Sequence, residues 1–159
     1  MRNEVKVDDR QMIALSQGDV HLWVVYPNQI FNPALLAGYR SLLDRSERGQ
    51  EARFRFAIDR HRYLLTRALV RLVLSRYAPI EPHEWRFTTS EYGRPIITNS
   101  IHEDHRFEFN ISHSDGIIVL AVCRGAIGID VENIHSRDAP VEVAPQAELL
   151  SAKFRLVSA

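Results

Sequence analysis

Two acids in the run Ile129-Asp130-Val131-Glu132 are the residues best placed to do chemistry. On a β-strand alternate residues share a face. Both carboxylates would then project together, about 7 Å apart at Cα, while Ile129 and Val131 turn to the core. Like charges so close repel unless a cation lies between them. Mg²⁺ suits the pair, because it takes one or two carboxylates, keeps several waters and shares phosphate oxygens of a substrate. A bare pair of this kind also describes two solvated acids on an edge strand, and that is its default reading. Gly128 immediately before them tilts the balance towards a ligand, since a strand glycine can mark close backbone approach.

A second run, Asn110-Ile111-Ser112-His113-Ser114-Asp115-Gly116, ends a strand in hydroxyls, an imidazole and a glycine turn. Such a strand end offers donors to phosphate oxygens. It also contains Ser, His and Asp, but a hydrolytic triad needs convergence in space, and neighbours on a strand point to opposite sides. A plain polar hairpin turn is the alternative. Gly93-Arg94-Pro95 places a cation just before an extended segment. Gly125 and Gly128 do not make a dinucleotide-binding glycine fingerprint.

The elements that must position these residues follow from periodicity. Val20–Tyr26 is apolar and β-branched and predicts a first strand. Pro27 and Pro33 punctuate the loop after it, and Ala34–Leu43 predicts a short helix. Ser46 with Glu47 and Glu51 marks a second helix start. The strongest helix is predicted from about Asp59 to Tyr77, with Leu65, Ala68, Leu69, Leu72 and Val73 as its apolar stripe and Arg60, Arg67 and Arg71 on another face. Pro79 and Pro82 end it. Strands are then predicted over Trp85–Thr89, Ile96–Thr98, Phe107–Ser112, Gly116–Cys123 and Ala126–Glu132, with Asn99–Arg106 as a polar loop. The order strand, helices, run of strands indicates an α+β fold. The tail, Ala139–Ala159, departs from this pattern. It carries Pro140 and Pro145, and Leu149, Leu150, Phe154 and Leu156 are spaced for at most one short amphipathic helix.

Composition sets the outer limits. The chain has 159 residues, is 45% hydrophobic and has zero formal net charge. It is one domain by length, with enough apolar residues for a core. The single cysteine, Cys123, excludes an internal disulfide and fits a reducing cytoplasm. No apolar run is long enough to span a membrane, and the first residues carry no secretory signal. Charge is unevenly placed. Residues 40–76 hold ten Arg against four acids, and 18 of the 20 basic residues in the chain are Arg. Arg favours bidentate contacts to phosphate or carboxylate. A solvated helix face is the bland explanation, and the neutral overall charge argues against nucleic acid.

In order and spacing, YGRPII, FNISHSDG and IGIDVE resemble the first motifs of the Sfp-type 4′-phosphopantetheinyl transferases. RFRFAIDRHRYLLTRALVRLVLSRY resembles the helical segment upstream of them, so the likeness covers roughly residues 20–135. The resemblance implies one half of a two-half fold, with an antiparallel sheet packed on a long helix. It implies a first half over residues 1–138, an atypical tail over 139–159, and no second half. It further implies Mg²⁺ on Asp130 and Glu132, and coenzyme A against Gly93, Arg94, Pro95, Ser112 and His113. The expected activity is Mg²⁺-dependent transfer of phosphopantetheine from coenzyme A to a serine of an acyl or peptidyl carrier protein. The alternative is a truncated remnant that binds coenzyme A and Mg²⁺ without turnover.

Two features depart from the family pattern. Its third motif, W-x-x-K-E-x-x-x-K, has no match after Glu132, so the expected general base is unassigned. Gln50 stands where relatives often carry a basic coenzyme A contact, with Arg48 and Arg53 nearby.

Overall fold

The central strand of the main sheet is a run of seven buried residues, Ile117–Cys123 (β5). Apolar side chains on both faces need cover on both sides, and two separate cores supply it. We describe a computed structural model covering residues 12–133 and the backbone of 152–157. The elements run β1 (Val20–Val25), α1 (Pro33–Leu42), α2 (Arg45–Arg53), α3 (Ala57–Leu74), β2 (Phe87–Thr89), β3 (Pro95–Ile97), β4 (Glu108–Ser114), β5, β6 (Gly128–Asn133) and β7 (Ala152–Val157). Among the described residues this is a mixed α and β fold with three α-helices and antiparallel sheets, consistent with the class that the order of elements indicated.

The main sheet has the order β1-β5-β4. Val24 lies opposite Val119, and Ile111 opposite Leu120. Asp115-Gly116 closes the β4–β5 hairpin as a two-residue loop, with Gly116 at φ +80°. Asp-Gly is a preferred pair for such loops because glycine takes positive φ without a Cβ clash. One face of the sheet carries Phe109, Leu120 and Val122 against Val70, Val73, Leu74 and Tyr77 of α3 and its C-terminal end. The other face carries Ile117, Val119, Ala121 and Cys123 against Ile127, Ile129 and Val131 of β6 and the residue before it. Cys123 is therefore a buried core thiol.

The helices begin where side chains satisfy the free amides of their first turns. Asn32 accepts from the Leu35 amide at 3.1 Å to cap α1. Helix α2 starts one residue earlier than Ser46, at a reciprocal capping box. The Glu47 amide donates to Asp44 at 2.9 Å, and the Asp44 amide donates to Glu47 at 3.0 Å. Ser46 took the sequence assignment because serine is a common cap, but the acid three residues before Glu47 makes the better pair.

Helix α3 spans 18 residues and buries Leu64, Leu65, Ala68, Val70, Val73 and Leu74. Leu69 and Leu72 of the predicted stripe are only partly buried, because the sheet meets the helix on the side of Val70 and Leu74.

Two further expectations are corrected. Trp85 belongs to no strand. It is fully buried, and its indole donates to Ser75 Oγ at 2.8 Å. Phe154 and Leu156 lie on a strand, not a helix: β7 pairs antiparallel with β6. Alternating Phe154 and Leu156 also fits a strand period, and an available edge decides between the two. Leu149, Leu150 and both prolines of the tail lie outside the described residues. Among the described residues no helix is long and apolar enough to cross a membrane.

Candidate functional site

Strand β6 alternates as the acid pair requires. Ile129 and Val131 are 9% and 4% exposed, whereas Asp130 and Glu132 are exposed. Packing of Ile127, Ile129 and Val131 against β5 leaves the intervening residues no choice of face. Both carboxylates therefore stand outward on one surface. Strand β7 borders them in register, with Arg155 opposite Asp130 and Lys153 opposite Glu132 at Cα.

Strand β4 approaches the same surface through side chains. The Val131 amide donates to Ser112 Oγ at 3.2 Å and to the side chain of Asp130 at 3.0 Å. Ser112 Oγ also lies 3.5 Å from Asp130 Oδ1, at the outer limit for a hydrogen bond. One turn of the strand back, Asn110 donates to the Ile127 carbonyl at 3.1 Å. Asn110 and Ser112 thus dock β4 to β6 and hold the acid-bearing strand in place.

His113 faces the other way. It sits on the side of the sheet that meets α3, near enough to Arg62 to feel its charge. Burial, with a smaller contribution from that guanidinium, holds its pKa below the usual histidine range. A lowered pKa makes the ring neutral at pH 7, so it offers one donor and one acceptor. Arg62 itself is paired with Asp59 at 2.7 Å. Ser112 and His113, neighbours in sequence, are therefore separated by the thickness of the sheet.

The third predicted group lies further along β4. Arg94 donates to the Phe109 carbonyl at 2.9 Å and is 3.7 Å from the Glu108 carboxylate. Gly93, at φ +79°, makes the turn that brings Arg94 back, and Pro95 opens β3. Arg94 and Pro95 line an open cleft of about 730 Å³ between the β2–β3 hairpin and β4, with Tyr92 91% exposed at its edge. From Phe109 to His113 is about 13 Å along a strand. The seven predicted residues thus fall into three stations on one edge of the sheet: Arg94 with its turn, His113 on the helix side, and Ser112 with the two acids on the β6 side.

The donor set on β6 fits Mg²⁺. Two exposed carboxylates offer hard oxygens with open access for water and phosphate. Among the described residues no group of three His, Cys, Asp or Glu is placed to hold a metal ion.

Part of the arginine-rich stretch is tied to carboxylates within the protein. Arg71 is fully buried, donating to Glu47 at 2.7 Å and to the carbonyls of Pro82 and Trp85 at 3.1 and 3.0 Å. Arg67 donates to the same Glu47 at 2.7 Å, and Arg40 to Glu51 at 2.7 Å. Arg67 and Arg71 are structural cations, largely shielded from solvent, whereas the paired Arg40 side chain stays half exposed. Arg48 is turned to the Leu43 carbonyl at 2.9 Å. Gln50 lies exposed on α2 beside Arg45 and Arg53.

Sequence reasoning missed Arg62 as the neighbour of His113. The available signal was its place on α3 three residues before Leu65, which points it towards the sheet side.

A sequence model described as "4'-phosphopantetheinyl transferase, N-terminal" matches residues 33–125. That span takes in Gly93, Arg94, Pro95, Ser112 and His113 and stops short of Asp130 and Glu132. Among curated proteins, 4′-phosphopantetheinyl transferase Sfp of Bacillus subtilis (strain 168) is 38% identical over 94 residues, 59% of this chain and 40% of that protein. 4′-phosphopantetheinyl transferase gsp of Aneurinibacillus migulanus is 36% identical over 88 residues, 55% of this chain and 34% of that protein. 4′-phosphopantetheinyl transferase HetI of Nostoc sp. (strain PCC 7120 / SAG 25.82 / UTEX 2576) is 31% identical over 124 residues, 77% of this chain and 51% of that protein. The chain spans about half the length of these relatives or less.

Proposed function

The chain belongs to the 4′-phosphopantetheinyl transferase family, and from that premise we propose that it holds coenzyme A and Mg²⁺ for transfer of phosphopantetheine to a carrier-protein serine. One observation carries the reading: Asp130 and Glu132 stand exposed on one face of β6, with Ser112 hydrogen-bonded beside them. In the transfer, the serine oxygen forms a bond to the β-phosphorus of coenzyme A. The bond from that phosphorus to 3′,5′-ADP breaks, and the serine proton passes to a base. When bound, Mg²⁺ would neutralise charge developing on the phosphoryl oxygens.

The chain's own residues divide the work of binding. Asp130 and Glu132 hold the cation. Ser112 offers a hydroxyl proton to a phosphate oxygen while its lone pair keeps the Val131 amide. His113, neutral when free, takes up a proton as a phosphate approaches, since a nearby anion favours the charged ring. Arg94 supplies a fixed cation at the hairpin. An elongated ligand with several phosphates could meet all three stations by straddling the edge of β4.

We further propose that this is one half of a two-half fold, with 1–138 as the half and 139–159 as its tail. Val20, Leu22 and Val24 of β1 support this, being 38–41% exposed on the face that carries β6. A partner half covering that stripe would form the second wall of the cleft and bring the general base. The single cysteine accords with a cytoplasmic setting. Coenzyme binding without turnover is the second reading.

Calorimetric titration tests the first reading: Mg²⁺ should bind more tightly with coenzyme A present, and Asp130→Ala should remove that gain. Equal behaviour of the two proteins would overturn the metal assignment. Mass spectrometry of an apo carrier protein separates the two readings. Turnover by the chain alone supports the transferase. Turnover only after fusion to a family second half supports the binding half.

A further inference from the structure

A cavity of about 300 Å³ opens beside Arg124, just past the end of β5. It lies at the end of the main sheet opposite the β4–β5 loop, about 20 Å away along β5. It shares only Arg106 and Phe107 with the cleft that Arg94 lines. None of the residues assigned above to metal or coenzyme lines it.

Backbone contacts fix its walls. The Ile13 amide donates to the Arg76 carbonyl at 2.7 Å, which ties the segment before β1 to the end of α3. Arg124 donates from Nε to the Leu15 carbonyl at 2.5 Å and from Nη2 to the Asp104 carbonyl at 2.8 Å. One guanidinium thus clasps the segment before β1 to the loop before β4. Buried Leu15, Tyr77 and Phe107 give the cavity an apolar side.

Its charge is one-sided. Arg106 and Arg124 both line it, and among the described residues neither meets a carboxylate. Arg40, Arg67 and Arg71, by contrast, each have an acid partner. The lining acid, Asp104, lies 3.2 Å from His102 Nδ1. A further cation, Arg76, is felt at the Tyr77 hydroxyl, and its buried Nε has no hydrogen-bond partner among the described residues. Guanidinium groups match a carboxylate in plane and by charge. The apolar side disfavours a strongly hydrated inorganic anion, whose lost water it cannot replace.

We propose that this cavity binds a small organic carboxylate, at a site separate from the metal and coenzyme stations. Arg124, oriented by its two carbonyl contacts, donates to the carboxylate from Nη1, which makes no bond among the described residues. Arg106 supplies the second cation, and the apolar body of the ligand packs on Leu15 and Phe107. A cavity of this size sits at the small end of ligand sites, so it takes a compact ligand. The inference does not depend on the transferase reading.

The test is an amide NMR titration of the full chain with benzoate, benzyl alcohol and inorganic phosphate at low salt. Benzoate is expected to bind saturably, with a Kd of about 1 mM or below, and to shift the amides of Ile13 and Phe107. Benzyl alcohol lacks the charge and phosphate lacks the apolar body, so each should bind about tenfold more weakly or worse. Arg106→Gln and Arg124→Gln should each weaken benzoate binding by about tenfold. Thermal melts confirm that the variants fold. Arg106 is exposed and its side chain makes no bond among the described residues, so Arg106→Gln keeps the test open if loss of the Arg124 clasp unfolds the chain. Benzoate should also bind with coenzyme A present. No saturable benzoate binding, equal binding of benzyl alcohol, tighter binding of phosphate, or an affinity untouched by Arg106→Gln overturns the proposal. Displacement of benzoate by coenzyme A would assign the cavity to the coenzyme and likewise overturn it. None of these failures touches the transferase reading.

Discussion

Ser112 Oγ accepts the backbone amide of Val131 at 3.2 Å, which ties the edge strand β4 to the strand that carries both acids. The bond sits between Asp130 and Glu132 in sequence, so the rotation of β6 about its axis is set from β4.

Ser112→Ala is expected to lower stability by about 1 kcal/mol or less, because the Val131 amide keeps its contact to Asp130 at 3.0 Å. It should weaken Mg²⁺ binding in the presence of coenzyme A by more than that loss of stability explains. Urea unfolding and metal titration on the same preparation check the two effects separately. Unchanged metal affinity would show that β6 holds its acids without help from β4.

Glu47 anchors α2 to α3. It receives Arg67 and Arg71, the latter fully buried. Removing one partner of a buried pair leaves an uncompensated charge, so Glu47→Ala should cost about 3–5 kcal/mol in urea unfolding. Arg71→Met combined with Glu47→Leu should recover part of that loss. Arg71→Met leaves the Pro82 and Trp85 carbonyls without their donor, so recovery should be incomplete.

His113 gives a pH dependence of known sign. Its folded pKa lies below its unfolded value, through burial and then Arg62. Between those two values the unfolded chain binds more protons, so stability rises with pH. The contribution is present above the unfolded pKa, near 6.5, and is lost as pH falls through the folded pKa. His113→Gln should flatten the stability profile in that window and leave it unchanged above pH 7. Coenzyme A binding near pH 7 should also take up protons, measured calorimetrically in buffers of different ionisation heat, and His113→Gln should abolish the uptake.

Gly116 holds the two-residue loop at φ +80°. Gly116→Val should destabilise the chain by about 1–2 kcal/mol, since a Cβ in that region meets the backbone. Ser114 pairs with Ile117 across this loop, so the strain should appear first as loss of amide protection at the end of β4. Protection of β5 should be retained.

Local pattern alone determined a large part of this protein. Period-two alternation in Gly128–Glu132 sorted its acids from its core residues, because β6 has one buried face and register admits one answer. The helical stripe of α3 and the apolar run of β5 were legible for the same reason. The order of three short motifs was enough to indicate the family.

Tertiary packing decided the rest. Charge counting could not reveal that Arg67 and Arg71 share Glu47, because ion pairs between helices depend on how the helices cross, not on composition. Nor could adjacency tell that Ser112 and His113 serve opposite faces of the sheet in different surroundings. One meets β6 and the other meets Arg62, because β4 is an edge strand with an element packed on each side. The strand β7 follows the same principle. A weakly periodic tail has no strong preference of its own, and the open edge of β6 provides the backbone partners that make it a strand.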